Sequence, residues 1–95
     1  MSECLEFWPE YRGGPLWTVR GESVELSDLP ISDDLRQRLA AWSSRYSDER
    51  LPVEDRGDPE WVAVGRDLLA EVRWALQPGY EVIVTEPWWG EEPVG

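Results

Sequence analysis

The spacing of apolar residues changes twice along this chain of 95 residues, and these changes constrain its fold more than any other feature. Residues 3–8 alternate with the period of two that is typical of a half-buried strand, and residues 16–20 predict its hairpin partner after a Gly-Gly-Pro turn. Residues 35–46 and 61–76 instead carry apolar stripes at steps of three and four, which predict two helices. A last apolar segment at 80–84 predicts another strand.

This order of elements predicts an α+β fold with a small antiparallel or mixed sheet of three to four strands and two helices packed on one face. The order is β-β-(β)-α-α-β, in which Val24 and Leu26 mark the bracketed strand. The helix starts are well marked, because Ser32 and Asp58 are favoured N-caps and Pro59 suits a first helical position. Trp42 and Trp61 lie on the apolar stripes and are predicted to be in the core.

The final strand has the most apolar run of three β-type residues, at 82–84, which predicts a position in the middle of the sheet. We expect this strand to insert beside the first one. The acidic and aromatic residues that this arrangement would bring together are Glu6, Trp8 and Glu10 with Glu81, Glu86, Trp88 and Trp89.

Length and charge limit the kinds of partner that the chain can bind. The 95 residues are one domain, 1–95, in which 87–95 is predicted to form an extended tail. The chain has twenty acidic and nine basic residues and therefore a net charge of −11. This negative charge opposes direct binding of nucleic acid or of an anionic membrane. The absence of Lys, His and Asn is explained equally well by the nucleotide composition of a GC-rich genome and by adaptation. The charge permits a basic protein partner or imitation of a nucleic acid.

No set of residues in the chain indicates a reaction. Histidine and lysine are absent, and the lone Cys4 has acidic neighbours that disfavour its thiolate. Glu54, Asp55 and Asp58 are oxygen donors of the kind that Ca²⁺ and Mg²⁺ prefer, but their spacing favours a solvated connector. We therefore predict no enzyme, no cofactor and no metal site. The lone cysteine and the lack of a signal-length apolar run favour the cytoplasm.

The end of the chain is the strongest candidate for a binding surface. Two consecutive tryptophans follow a proline and are bracketed by carboxylates, and tryptophan is enriched among residues that dominate binding energy. The alternative, in which both indoles cap the core, stays open. The predicted partner-binding residues are Trp88, Trp89, Glu86, Glu91, Glu92, Glu81, Trp8 and Glu10.

Several short segments together resemble a group of short, acidic, tryptophan-rich bacterial proteins of unassigned activity. These segments are 7–11, 14–17, 29–32 with Leu35 and Leu39, Trp42 with Tyr46, 65–69, and 78–82. Such proteins are similar to the immunity proteins of bacterial toxin systems. The resemblance implies a compact domain that binds a toxin, and it assigns no functional residues.

The leading hypothesis is therefore an immunity or inhibitor protein that covers a basic surface of a protein partner such as a toxin. A nucleic-acid mimic would instead need two rows of carboxylates at phosphate-like spacing. A small carboxylate- or metal-dependent enzyme would need a cleft with two close acids. In a purely structural subunit, the tail would pair with a second copy, so both a monomer and a homodimer stay open.

Overall fold

The computed structural model describes residues 3–11, 13–51 and 57–85. Three strands form one sheet: β1 (Glu3–Phe7), β2 (Leu16–Thr18) and β3 (Tyr80–Ile83). Two helices lie between β2 and β3 in sequence, α1 (Asp33–Ser44) and α2 (Pro59–Leu76). Short 3-10 helices at Leu26–Asp28 and Asp48–Arg50 complete the secondary structure. The predicted α+β fold is confirmed.

The sheet is mixed and has the order β2-β1-β3. Strand β1 runs antiparallel to β2, with Phe7 opposite Leu16, and parallel to β3, with Leu5 opposite Val82. The last strand therefore inserts beside the first, as predicted. Because β1 and β3 are parallel, both strands end at the same end of the sheet.

The expectation that residues 82–84 lie in mid-sheet is wrong, because β3 is an edge strand and β1 occupies the centre. The apolar run arises because Val82 and Val84 are buried in the core while Ile83 is half-buried on the opposite face. Arg73 of α2 donates two hydrogen bonds to the Val82 carbonyl oxygen, from Nε at 3.0 Å and from Nη2 at 2.8 Å. Such a side-chain contact satisfies part of an edge that otherwise invites pairing.

The bracketed third strand does not form in the part of the chain that the structure describes. Its segment makes an isolated bridge between Trp17 and Ser23, after which the 3-10 helix begins at Leu26. Backbone bonds from Val24 N to Leu16 O (2.9 Å) and from Thr18 N to Glu22 O (2.8 Å) nevertheless cover the outer edge of β2.

Side chains begin both helices as the sequence predicts. The Ser32 hydroxyl accepts a hydrogen bond from Leu35 N at 3.1 Å, and the Asp58 carboxylate accepts one from Trp61 N at 3.1 Å. These contacts satisfy N–H groups that have no partner inside the helix. Helix α1 ends at Ser44, two residues before the end of the apolar stripe at 46.

An aromatic column joins the sheet to both helices. Trp42 of α1 stacks on Trp61 of α2 with ring centroids 4.4 Å apart, and Phe7 of β1 stacks on Trp42 at 5.5 Å. Each indole N–H is donated to the backbone carbonyl of the other tryptophan, at 2.8 Å from Trp42 and 3.2 Å from Trp61. All three rings are buried, so the predicted core positions of Trp42 and Trp61 are confirmed.

The two helices are also joined at their surface by Arg38. Its guanidinium contacts Asp34, four residues earlier in the helix, at 2.8 Å, and it binds both carboxylate oxygens of Glu71 on α2. The hydrogen bonds from Arg38 lower the pKa of Glu71 below its usual value. Because these side chains are exposed, the ion pairs contribute little to stability.

Candidate functional site

One face of the sheet is not covered by the helices. Side chains alternate between the two faces of a strand, and the register places Glu6 opposite both Trp17 and Ile83, and Cys4 opposite Glu81. These residues therefore share the face opposite the core. We call this surface the outer sheet face and define it by Cys4, Glu6, Trp8, Trp17, Glu81 and Ile83.

A pair of stacked indoles forms the aromatic part of the outer sheet face. The rings of Trp8 and Trp17 are nearly parallel, with centroids 4.2 Å apart and an interplanar angle of 12°. The Trp17 indole N–H donates to the Trp8 carbonyl oxygen at 2.9 Å, and Trp8 N bonds to Pro15 O at 2.9 Å. Trp17 is buried in this stack and Trp8 is half-buried, so Trp8 forms its accessible side.

The glycine turn between β1 and β2 makes room for this stack. Gly14 has a φ of 67°, and a Cβ atom added there would lie 2.7 Å from Trp17 Nε1. Its N–H donates to the Ser23 hydroxyl at 2.8 Å, which fixes the turn against the segment after β2. A side chain at this position would push Trp17 away, so the turn fixes the position of the aromatic pair.

Net negative charge is concentrated in the sheet half of the molecule, whose described residues are 3–11, 13–28 and 80–85. Its acidic residues are Glu3, Glu6, Glu10, Glu22, Glu25, Asp28 and Glu81. Within these ranges the one basic residue is Arg20, and none of the acidic side chains forms an ion pair with another described residue. The unneutralised charge therefore gives the sheet half a negative potential.

The helical half, residues 33–51 and 57–76, is arranged differently. Three of its arginines form ion pairs with described acidic residues on the same or the neighbouring element. The pairs are Arg36 with Asp33, Arg38 with Asp34 and Glu71, and Arg50 with Asp58. Charge in this half is thus partly neutralised within the protein.

Cys4 lies between two carboxylates of the outer sheet face. Burial raises the pKa of its thiol, and the negative charges of Glu81 and then Glu6 raise it further. A carboxylate opposes formation of the thiolate because like charges repel. The part of the pKa shift that these two carboxylates cause is the expected local effect of negative potential on the face.

We expect the thiol of Cys4 to react slowly with iodoacetamide at pH 8, because the thiolate is the nucleophile and its fraction is reduced. The Glu81→Gln substitution should increase the alkylation rate about threefold by removing one repulsive charge. Mass spectrometry of the single cysteine in the chain measures both rates. Glu49→Gln, in the helical half, is the control, and an equal rate in both variants would contradict the assignment.

The structure describes three of the predicted partner-binding residues. Glu81 and Trp8 share the outer sheet face, but Glu81 lies opposite Cys4, about 13 Å from Trp8 along the strand at 3.3 Å per residue. Glu10 is half-buried just after β1, and its carboxylate accepts a hydrogen bond from Tyr11 N at 3.0 Å. Glu86, Trp88, Trp89, Glu91 and Glu92 lie outside the described residues, so their role stays a prediction.

Sequence reasoning did not assign Trp17 to a surface, and it grouped Glu6 with Glu81 without including it among the partner-binding residues. The signal was present in the alternation of residues 3–8, which places Cys4, Glu6 and Trp8 on one face. The hairpin register was needed to add Trp17 opposite Glu6, and the parallel pairing with β3 was needed to add Glu81.

Within the described ranges, no three residues among His, Cys, Asp and Glu come together in a way that would hold a metal ion. Neither helix in these ranges has the length and apolar character needed to span a membrane.

The fold and its outer sheet face together define a small acidic α+β protein with an aromatic surface. A family model described as Serratia CdiI immunity protein-like matches residues 3–87. Because the match covers most of the chain, the chain belongs to this family. The resemblance to immunity proteins is confirmed. A search of curated proteins finds no match.

Proposed function

We propose that the chain is an immunity protein that binds a protein toxin and covers a basic region of its surface. The family supports the immunity role. The observation that carries the choice of surface is the outer sheet face, where stacked indoles lie beside Glu6 and share the face with Glu81. Neither carboxylate forms an ion pair with another described residue. Aromatic rings and carboxylates together suit a cationic partner.

Aromatic and acidic groups have different tasks in this proposal. The carboxylates of the sheet half attract a basic partner over several ångströms, which raises the association rate. Trp8 then contributes apolar contact area, and its ring also attracts arginine or lysine through the face of the indole. Because Trp17 and the glycine turn hold this ring in place, little conformational entropy is lost when the complex forms.

The proposed binding surface includes the residues predicted from the sequence. Glu81 and Trp8 belong to the outer sheet face, and Glu10 follows β1 at the end where β3 also finishes. The proposal extends to Trp88, Trp89, Glu86, Glu91 and Glu92 because the described chain reaches Thr85 at that same end of the sheet. We further propose that the protein acts without catalysis of its own and works in the cytoplasm, where it meets the toxin.

The Trp8→Ala substitution tests the surface, with the cognate toxin, identified by pull-down from the native host with the tagged wild-type chain, as the partner. We expect the substitution to weaken binding about 30-fold, the loss of about 2 kcal/mol that is typical of a central aromatic anchor. Isothermal titration calorimetry measures the affinity, and the growth of cells that express the toxin measures protection. A thermal melt of each variant separates weaker binding from weaker folding.

Trp74→Ala is the matched control, because Trp74 is 80% exposed on α2 and is not one of the residues of the outer sheet face. It should leave the affinity within about twofold of wild type. Equal losses in the two variants would show that the outer sheet face is not the binding surface. A wild-type chain that neither binds the toxin nor protects cells would overturn the proposed function itself.

A further inference from the structure

We infer that a groove at the end of the sheet receives a lysine or arginine side chain of the toxin. This inference rests on the proposed function and adds the chemistry of one contact to it. The groove has a volume of about 570 Å³ and lies where β1 and β3 begin and β2 ends. We call it the sheet-end groove.

The walls of the sheet-end groove are largely apolar. Leu5, Val24, Leu29 and Tyr80 line it, and Val19 is 61% exposed there. Cys4 connects the groove to the outer sheet face, to which its side chain also belongs. A partner that covers the outer sheet face can therefore contact the groove at the same time.

Three acidic residues, Glu3, Glu22 and Asp28, also line the groove, and Arg20 is the one basic residue among its described lining residues. None of the three forms an ion pair within the ranges 3–11, 13–51 and 57–85. The raised pKa of the neighbouring Cys4 thiol, caused by burial and then by Glu81 and Glu6, agrees with a negative potential beside the groove.

Apolar walls with acidic residues among them fit a long basic side chain. The methylene groups of lysine or arginine pack on apolar surface while the charged end stays near carboxylates. An apolar side chain would remove water from the acidic residues without giving them a partner, which is unfavourable. A second copy of this chain is a poor occupant, because each copy has a net charge of −11.

A second groove, of about 510 Å³, lies between the helices, and its four acidic residues are balanced by three arginines, whereas the sheet-end groove has three acidic residues and one arginine among its described residues. Two of its arginines are already paired with carboxylates of the same groove, Arg38 with Glu71 and Arg50 with Asp58. A basic side chain entering there would compete with these ion pairs. The charge that is left unneutralised therefore favours the sheet-end groove.

The double variant Glu22→Gln/Asp28→Asn tests the inference. We expect its affinity for the cognate toxin to fall about tenfold, because two attractive charges next to the bound cation are lost. The control Glu49→Gln/Glu60→Gln removes the same amount of charge from the helical half and should change the affinity less than about twofold. Calorimetry at two salt concentrations measures both, with a thermal melt to confirm folding.

Two further measurements make the result decisive. Val19→Lys places a cation at the exposed wall without changing an acidic residue, and it should also weaken binding about tenfold. Bound toxin should protect Cys4 from iodoacetamide, whereas raising the concentration of this chain alone should not. Protection by the chain alone would identify a second copy as the occupant and overturn the inference.

The outcomes separate this inference from the proposed function. If the groove variants bind as tightly as their control while Trp8→Ala binds weakly, the groove inference is overturned and the proposed function stands. If the wild-type chain does not bind the toxin, both fail. Loss of affinity in both groove variants, with Cys4 protected in the complex, supports the inference.

Discussion

Replacing Trp42 by alanine is expected to lower the free energy of unfolding by about 3–5 kcal/mol, the usual cost of truncating a large buried aromatic side chain. The substitution removes the stacking of Trp42 on both Phe7 and Trp61, and it leaves a cavity between sheet and helices. It also removes the indole N–H that bonds to the Trp61 carbonyl oxygen. Urea denaturation followed by circular dichroism measures the change.

The size of this effect is large because the domain is small. A domain of this kind has a total stability of about 5–15 kcal/mol, so Trp42→Ala should leave a substantial unfolded fraction near physiological temperature. Trp42→Phe should cost less, because it keeps a stacked ring and loses the hydrogen bond. Trp74→Ala is the surface control and should change the stability by less than about 0.5 kcal/mol. Equal stability of the Trp42 and Trp74 alanine variants would contradict the aromatic column as the centre of the core.

The second large effect is expected on binding, for the double charge reversal Glu6→Arg/Glu81→Arg. Both side chains lie on the outer sheet face, so the reversal replaces attraction of a basic partner by repulsion. We expect the affinity for the cognate toxin to fall more than about 100-fold, because like charges in contact oppose association strongly. Calorimetry and the association rate at low salt measure the loss.

Charge reversal elsewhere provides the control for this experiment. Glu49→Arg/Glu60→Arg produces the same change in net charge in the helical half, and we expect a loss of less than about fivefold because salt screens distant charges. The same reversal at Glu6 and Glu81 should lower the pKa of the Cys4 thiol, since those two charges contribute to raising it. An alkylation rate for Cys4 that rises while the affinity stays unchanged would show that the charges were reversed correctly and that the partner binds elsewhere.

The local elements of this protein could be predicted from the sequence because their signals are local. The caps at Ser32 and Asp58 and the apolar stripes of both helices are properties of neighbouring residues, and they appear in the structure where expected. The prediction of a strand at Val24 and Leu26 was wrong because it used local signals alone. Val24 and Leu26 have strand-like side chains, but the segment forms a bridge and then turns into a 3-10 helix.

The candidate surface could be predicted in part. The sequence predicted that Trp8 and Glu81 belong to one partner-binding surface. The structure places both on the outer sheet face, and their role in binding stays a prediction. Trp17 was not assigned because its position depends on the hairpin register and on stacking with a residue nine positions away. The sheet-end groove was not predicted at all, since its walls come from three strands and the segment after β2.

The amino-acid sequence by itself determined the class of fold, the helix starts, the aromatic core positions Trp42 and Trp61, and the excess of negative charge. Only the tertiary structure decided that β1 rather than β3 is central and that most of the net negative charge of the described residues lies on the sheet half. The physical reason is that helix signals and composition depend on residues close in sequence. Strand order, stacking and potential instead depend on pairings between distant segments, whose relative positions are fixed when the core packs.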